Sequence, residues 1–284
     1  MRTGEYKLNL IREKTFLSHA VVKMVIDAPN VARKRKAGQF IVLMTDEKGE
    51  RIPLTIVDSD KENGTITIIF QIVGKTTTCL SEMKEGESLY SVLGPLGQPT
   101  DIEQFGTVVC IGGGVGIGVV YPITKALKEA GNRVISIIGA RTKDILILED
   151  EMAQISDELL IATDDGSYGF HGFVSDVLQK LIDMGEKIDR VVAIGPVPMM
   201  RVVCDVTKQY NVKTIVSLNP IMVDATGMCG ACRVSVGGCT KFACVDGPEF
   251  DGHEVDFDLL TSRLRMYYTQ EKEAMENFRC ECHD

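Results

Sequence analysis

The run CIGGGVGIGVVYPITKAL, residues 110–127, follows an apolar, β-branched stretch at Thr107–Ile111 and leads into a helical pattern at Tyr121–Ala130. Glycines at 112, 113, 114, 116 and 118 let the backbone come close to whatever lies at the turn. A strand, a glycine-rich turn and a helix in that order suit a diphosphate resting at the positive end of the helix. Tight packing of strand on helix also selects glycine, so the turn alone does not settle the matter. A Walker A loop is excluded, because no Gly-Lys-Ser/Thr follows.

On the C-terminal side of this turn, strands and helices alternate. Strand-like pieces at Arg133–Gly139, Leu159–Thr163, Arg190–Ile194 and Lys213–Ser217 are interleaved with helical patterns, among them Val174–Met184 and Met199–Tyr210. That alternation predicts a doubly wound parallel sheet over residues 101–218. Residues 1–100 differ. Short β-rich runs at Ala20–Ile26, Gln39–Met44, Thr65–Val73 and Ser88–Leu93, parted by Gly, Pro, Asn and Asp, predict an antiparallel barrel. Residues 219–284 open as a Gly/Cys-rich loop and close as a polar helical tail. Within that tail Leu259, Leu260, Leu264, Tyr267 and Met275 suit a helix that faces either a partner or the chain's own core. The expected fold is α/β plus β, with an N-terminal barrel, a parallel-sheet domain and a small C-terminal loop domain.

The 284 residues carry a net charge of −9, which lacks the basic excess of a nucleic-acid-binding surface. No stretch nears the roughly 20 apolar residues that span a bilayer. The opening MRTGEYKLNLIREK lacks the apolar segment of a secretory signal, so a cytoplasmic protein is expected.

Nine cysteines are many for a reducing compartment, and Cys229, Cys232, Cys239 and Cys244 fall within sixteen residues of PIMVDATGMCGACRVSVGGCTKFACVDGPEF. Clustered thiols in such a protein point to metal rather than to disulfides. Cys229 and Cys232 form a C-x2-C pair, which zinc and iron–sulfur clusters both use. Zinc is not excluded by spacing alone. Asp224 tips the balance: D-x4-C-x2-C-x11-C follows a plant-type [2Fe–2S] loop with a carboxylate in place of the first thiolate. The expected ligands are Asp224, Cys229, Cys232 and Cys244. Cys239, just past Gly237-Gly238 in a hairpin-like turn, is expected to point away. His19, His171, His253 and His283 show no ligand spacing. Cys280-Glu281-Cys282-His283 lacks a fourth ligand and reads as a frayed chain end.

In the β-rich part, Arg51-Ile52-Pro53-Leu54-Thr55 and Val73-Gly74-Lys75-Thr76-Thr77 place an arginine and small hydroxyls at strand ends. Each is unremarkable singly, and both suit a diphosphate and a flavin edge. Together with the glycine turn, the GPVPMM run at 195–200 and the loop ending ACVDGPEF, they make nearly the whole chain resemble the ferredoxin–NADP reductase superfamily. Within it, the chain is similar to the electron-transfer subunits of dihydroorotate dehydrogenase B. It is more similar to the small subunits of NADH-dependent reduced ferredoxin:NADP+ oxidoreductases, the electron-bifurcating transhydrogenases. Asp224 is the reason for that order, because the dihydroorotate-type relatives carry a fourth cysteine there.

The resemblance implies FAD on the barrel, held by Arg51, Pro53, Leu54 and Thr55 and by Gly74, Thr76 and Thr77. Thr76 stands where the family often has glycine. It implies NAD(H) at Gly112, Gly113, Gly114, Val115 and Gly116, over a floor of Gly195 and Pro196. One [2Fe–2S] cluster completes the cofactors, and no side chain is required as a nucleophile. A larger flavin and iron–sulfur subunit is the implied heterodimer partner, linked onward to ferredoxin and NADP(H). After Gly139-Ala140-Arg141, the acids Asp144, Glu149, Asp150 and Glu151 favour NAD(H) by repelling a 2′-phosphate. From a different class, the alternative is a zinc-stabilised binding module without redox chemistry. Absorbance and metal analysis of the purified chain should find one FAD and about two iron atoms; a colourless protein with stoichiometric zinc would overturn this reading.

Overall fold

The computed structural model describes residues 9–281, with side chains as far as Phe278. The side chains of Cys280, Cys282 and His283 therefore lie outside the described residues.

The first unit is a six-stranded antiparallel sheet in the order β1-β2-β5-β4-β3-β6. Its strands are β1 (Ile11–Ser18), β2 (Val21–Asp27), β3 (Phe40–Met44), β4 (Ile52–Asp60), β5 (Thr65–Gln71) and β6 (Ser91–Leu96). Two helices, α1 (Pro29–Lys34) and α2 (Lys75–Glu82), connect them. A bridge between Leu10 and Ser88 curls the first strand towards the last, giving a barrel. Alternation builds its core: Val22, Met24 and Ile26 face Phe70, Ile68 and Ile66 across the β2–β5 ladder, and all six are buried. β1 and β4 were not expected from sequence. β4 contains Pro53, ordinarily a strand breaker; here Pro53 sits opposite Val42 of β3, and pairing with β5 begins only at Ile56. Its missing N–H therefore faces no neighbouring strand.

The second unit is a seven-stranded sheet, parallel except at one edge, in the order β10-β9-β8-β7-β11-β12-β15. It contains β7 (Thr107–Gly113), α3 (Gly116–Glu129), β8 (Arg133–Ala140), α4 (Glu149–Ile155), β9 (Glu158–Thr163) and β10 (Phe170–His171). Then come α5 (Val174–Asp183), β11 (Arg190–Ile194), α6 (Val197–Gln209) and β12 (Thr214–Ser217). The strands are apolar on both faces, as a sheet covered on both sides requires. Val108 and Cys110 pack beneath α3 and α4, while Val109 and Ile111 face α5 and α6. Strand order reverses between β7 and β11, which creates a switch point at their carboxyl ends.

The remaining chain forms a hairpin of β13 (Arg233–Val236) and β14 (Cys239–Phe242), then β15 (Glu249–Asp251), α7 (Phe257–Leu264) and α8 (Tyr268–Glu281). Phe257 and Leu260 of α7 are buried against the α5–α6 face, so this part of the tail covers the chain's own core. The cysteine loop shares a core with the barrel, where Phe40 and Val42 of β3 pack with Met222, Ala225, Cys232, Ala243 and Cys244, while Val234 of β13 joins the core of the parallel sheet. β15 then pairs antiparallel with β12. The segment leading into it is tied on both sides, by Gln98 N–H to the Gly247 carbonyl at 2.7 Å and by Leu218 N–H to the Pro248 carbonyl at 2.9 Å.

Glu249 lies at this three-way joint, where the Thr100 hydroxyl donates to its carboxylate at 2.5 Å. Burial pushes its carboxyl from the ordinary 4.5 up to about 7. A carboxyl whose folded pKa exceeds its unfolded one contributes full stability at low pH and loses it as pH rises through the folded value. Between pH 4.5 and 7 the loss at this position amounts to at most about 3 kcal/mol. Glu249→Gln should therefore unfold in more urea than wild type at pH 8, with the advantage gone at pH 4.5. Parallel urea curves with the same offset at both pH values would contradict it.

Candidate functional site

The glycine turn lies at the switch point. A Cβ at Gly116 would strike the carbonyl of Ile194, so only glycine lets the start of α3 lie this close to the end of β11. Nothing stands within 4 Å of a Cβ built at Gly114, which faces open space at the same turn. No side chain caps α3, leaving its N-terminus to other partners.

Above this turn lies a cleft of about 330 Å³. Pro53, Leu54 and Thr55 of the barrel line it, and so do Gly113, Gly114, Val115, Gly116, Gly195 and Pro196 of the sheet. The two motif sets expected from sequence thus share one cavity. Gly112 does not line it; there a Cβ would come within 2.8 Å of the Ile117 backbone. Arg51, Gly74, Thr76 and Thr77 also fall outside the lining. The Thr77 hydroxyl accepts the N–H groups of Val73 and Gly74 at 3.0 Å each, which starts α2. The Thr76 hydroxyl donates to Glu50 at 2.8 Å.

Several lining residues escaped the sequence reading. Ser217 ends β12 and Leu218 and Asn219 follow it, beside the switch point, and the rule that ligands bind outside the carboxyl ends of parallel strands could have found them. Phe40, Gln71, Met222 and Pro248 carry no such signal.

The cysteine loop presents its expected donors as two pairs. Cys232 and Cys244 are buried, with their sulfurs 3.2 Å apart and neither in a disulfide. Burial, and then the neighbouring Cys232 sulfur, push the Cys244 thiol up. The second pair is at the surface. The exposed Cys229 thiol is pulled down by the Ala231 N–H first and then by that of Asp224. The Thr226 hydroxyl, foremost, holds the Asp224 carboxyl below the usual carboxylate range. Ala225, Gly227 and Gly230 take left-handed φ values of 61°, 84° and 67°. Successive turns of that kind aim backbone N–H groups into a concavity that favours an anion.

Among the described residues no three His, Cys, Asp or Glu side chains converge as ligands of one metal ion. Two pairs of donors suit a two-iron cluster, in which each iron takes two protein ligands and shares bridging sulfides; a structural zinc site instead gathers four ligands at one point. Cys239 opens β14 opposite Val236, exposed, just past the Gly237-Gly238 turn. His253 bonds the Thr207 hydroxyl at 2.9 Å, a structural contact.

Residues 219–256 match the iron–sulfur cluster binding domain of dihydroorotate dehydrogenase B. The dihydroorotate dehydrogenase B electron-transfer subunit homolog of Thermotoga maritima is 51% identical over 275 residues, 97% of each chain. The chain belongs to the dihydroorotate dehydrogenase B electron-transfer subunit family. The electron-transfer subunit of Geobacillus thermodenitrificans is 32% identical, over 89% of this chain and 98% of its own. A chain in the solved structure of the NADH-dependent reduced ferredoxin-NADP oxidoreductase, studied for flavin-based electron bifurcation, is 50% identical and superposes with a TM-score of 0.92. That match covers 97% of this chain and 99% of the other. This electron-transfer subunit is thus an oxidoreductase component with a ferredoxin–NADP reductase-like fold.

Within the subunit, Cys239→Ser should leave the visible spectrum unchanged, whereas Cys229→Ser, Cys232→Ser or Cys244→Ser should bleach it. Asp224→Cys should keep a cluster at a shifted reduction potential, because ligand identity is one lever on that potential. Iron lost from Cys239→Ser, with Asp224→Ala indistinguishable from wild type, would reverse the assignment.

Proposed function

We propose that this subunit exchanges a hydride between NAD(H) and FAD and passes single electrons through a [2Fe–2S] cluster. The receiver or donor is a larger flavin and iron–sulfur subunit, in flavin-based electron bifurcation among NADPH, NAD and ferredoxin. The observation that carries the reading is the shared cleft. Barrel motif and switch-point turn face each other across it, and Met222 and Pro248 of the cysteine loop form part of the same wall.

When bound, flavin supplies two-electron exchange with nicotinamide and one-electron exchange with iron, which the cluster handles singly. The protein's part is positional. Pro53, Leu54 and Thr55 form the barrel side on which a flavin ring would lie. Gly114, Val115 and Gly116 leave room for a nucleotide diphosphate at the start of α3, and Gly195 and Pro196 floor the nicotinamide end. Asp224 with Cys229 would hold one iron, and Cys232 with Cys244 the other.

Asp224 supports the bifurcating relatives over dihydroorotate oxidation; identity does not separate the two, being 50% to the oxidoreductase chain and 51% to the Thermotoga subunit homolog. No helix among the described residues is long and apolar enough to cross a membrane. The free thiols fit a reducing compartment, and we place the complex in the cytoplasm.

The nucleotide is NAD(H). Beyond β8 the chain offers Arg141 and also Lys143, whose ammonium lies 4.5 Å from the centre of the Tyr168 ring. Against these stand Glu149, Asp150 and Glu151 in the first turn of α4, with Glu149 accepting the Tyr168 hydroxyl at 2.6 Å. The acids outnumber the cations and also suit the α4 dipole. Stopped-flow measurement should show NADH reducing the flavin faster than NADPH does; the reverse order would overturn the assignment.

A further inference from the structure

The candidate flavin and iron sites meet at two adjacent residues. Glu50 accepts the hydroxyl of Thr76, in the second of the two barrel loops expected on FAD, at 2.8 Å. The next residue, Arg51, places Nη1 3.8 Å from Oδ1 of Asp224 in the cysteine loop. The arginine expected on the flavin diphosphate and the carboxylate expected on iron are therefore each other's counter-ion. The other oxygen of Asp224, Oδ2, accepts both the hydroxyl and the N–H of Thr226, which fixes the carboxylate and turns Oδ1 towards the arginine.

We propose that the Arg51–Asp224 pair is a hand-over that couples the loading of the two cofactors. The inference rests on the function proposed above. Iron at Asp224 would engage the carboxylate oxygen that otherwise faces Arg51, and so free the guanidinium for a diphosphate. A diphosphate on Arg51 in turn releases the carboxylate to iron. Each cofactor binds more tightly once the other is in place, and the factor is the same in both directions because linkage is reciprocal. Its size is that of a half-exposed ion pair, about two- to five-fold in an equilibrium constant.

The test uses the full chain freed of FAD, with its cluster intact or removed by chelation, and circular dichroism to confirm that the fold survives. FAD affinity is read from the quenching of flavin fluorescence. Wild type should bind FAD about two- to five-fold more tightly with its cluster than without it. Cluster-free Asp224→Asn should bind FAD as tightly as cluster-loaded wild type. Equal FAD affinity in the cluster-free forms of wild type and Asp224→Asn, while Arg51→Gln weakens FAD binding, would overturn the hand-over and leave the proposed function standing. An Arg51→Gln chain that binds FAD as wild type does would remove the flavin role of Arg51, and the hand-over with it. Cluster-loaded Asp224→Cys needs no chelation and should match cluster-loaded wild type in FAD affinity. Tighter binding by that variant would mean that Arg51 stays on the carboxylate when iron is present, which also defeats the proposal.

Discussion

The close approach of α3 to the end of β11 is the constraint from which the rest of the site follows. At Gly116 a side chain would meet the Ile194 carbonyl, and at Gly112 it would crowd the Ile117 backbone. Gly118 repeats the theme on the outer side of the helix, where a Cβ would come within 3.3 Å of Ile69 on β5. One glycine run therefore sets the strand–helix spacing, opens the switch point and lets the barrel sit against α3. Packing and ligand room are the same property here, because the helix can present its bare N-terminus to the cleft only if it first lies flat on the sheet.

The cysteine loop depends on that arrangement. A segment of this length cannot bury a core of its own. It borrows Phe40 and Val42 from the barrel, is held by Gln98 at the barrel's exit, and contributes β15 to the edge of the parallel sheet. Cys232 and Cys244 are buried because of this borrowed core, while Asp224 and Cys229 remain at its rim. The deep pair is thus placed by apolar packing, and the outer pair by backbone N–H groups and by Arg51.

Much of this was legible in the sequence, for reasons that differ along the chain. Parallel strands such as Val108–Ile111 and Arg190–Ile194 are continuous apolar runs separated by amphipathic helices, so local pattern and final position agree. The exposed position of Cys239 at the hairpin turn could be read because Gly237 and Gly238 stand just before it. β4 could not be read, because Pro53 breaks a strand unless one edge lacks a partner, and that edge is known only once β3 and β5 are placed. The partners of the Thr76 and Thr77 hydroxyls, Glu50 and the start of α2, could not be read from sequence, because they depend on how the loop folds back on itself and on Glu50.

The sequence by itself determined the kind of sheet, the glycine turn at its first crossover and the spacing of the donors in the cysteine loop, because each depends on neighbours a few residues apart. Only the tertiary structure decided that the barrel motif and the turn share one cleft. It also decided that Phe40 and Pro248 belong to that cleft, that Glu249 sits at a joint of three units, and that Arg51 faces Asp224. Those pairings join residues far apart in the chain. They arise from the burial of apolar faces that no single segment can complete alone.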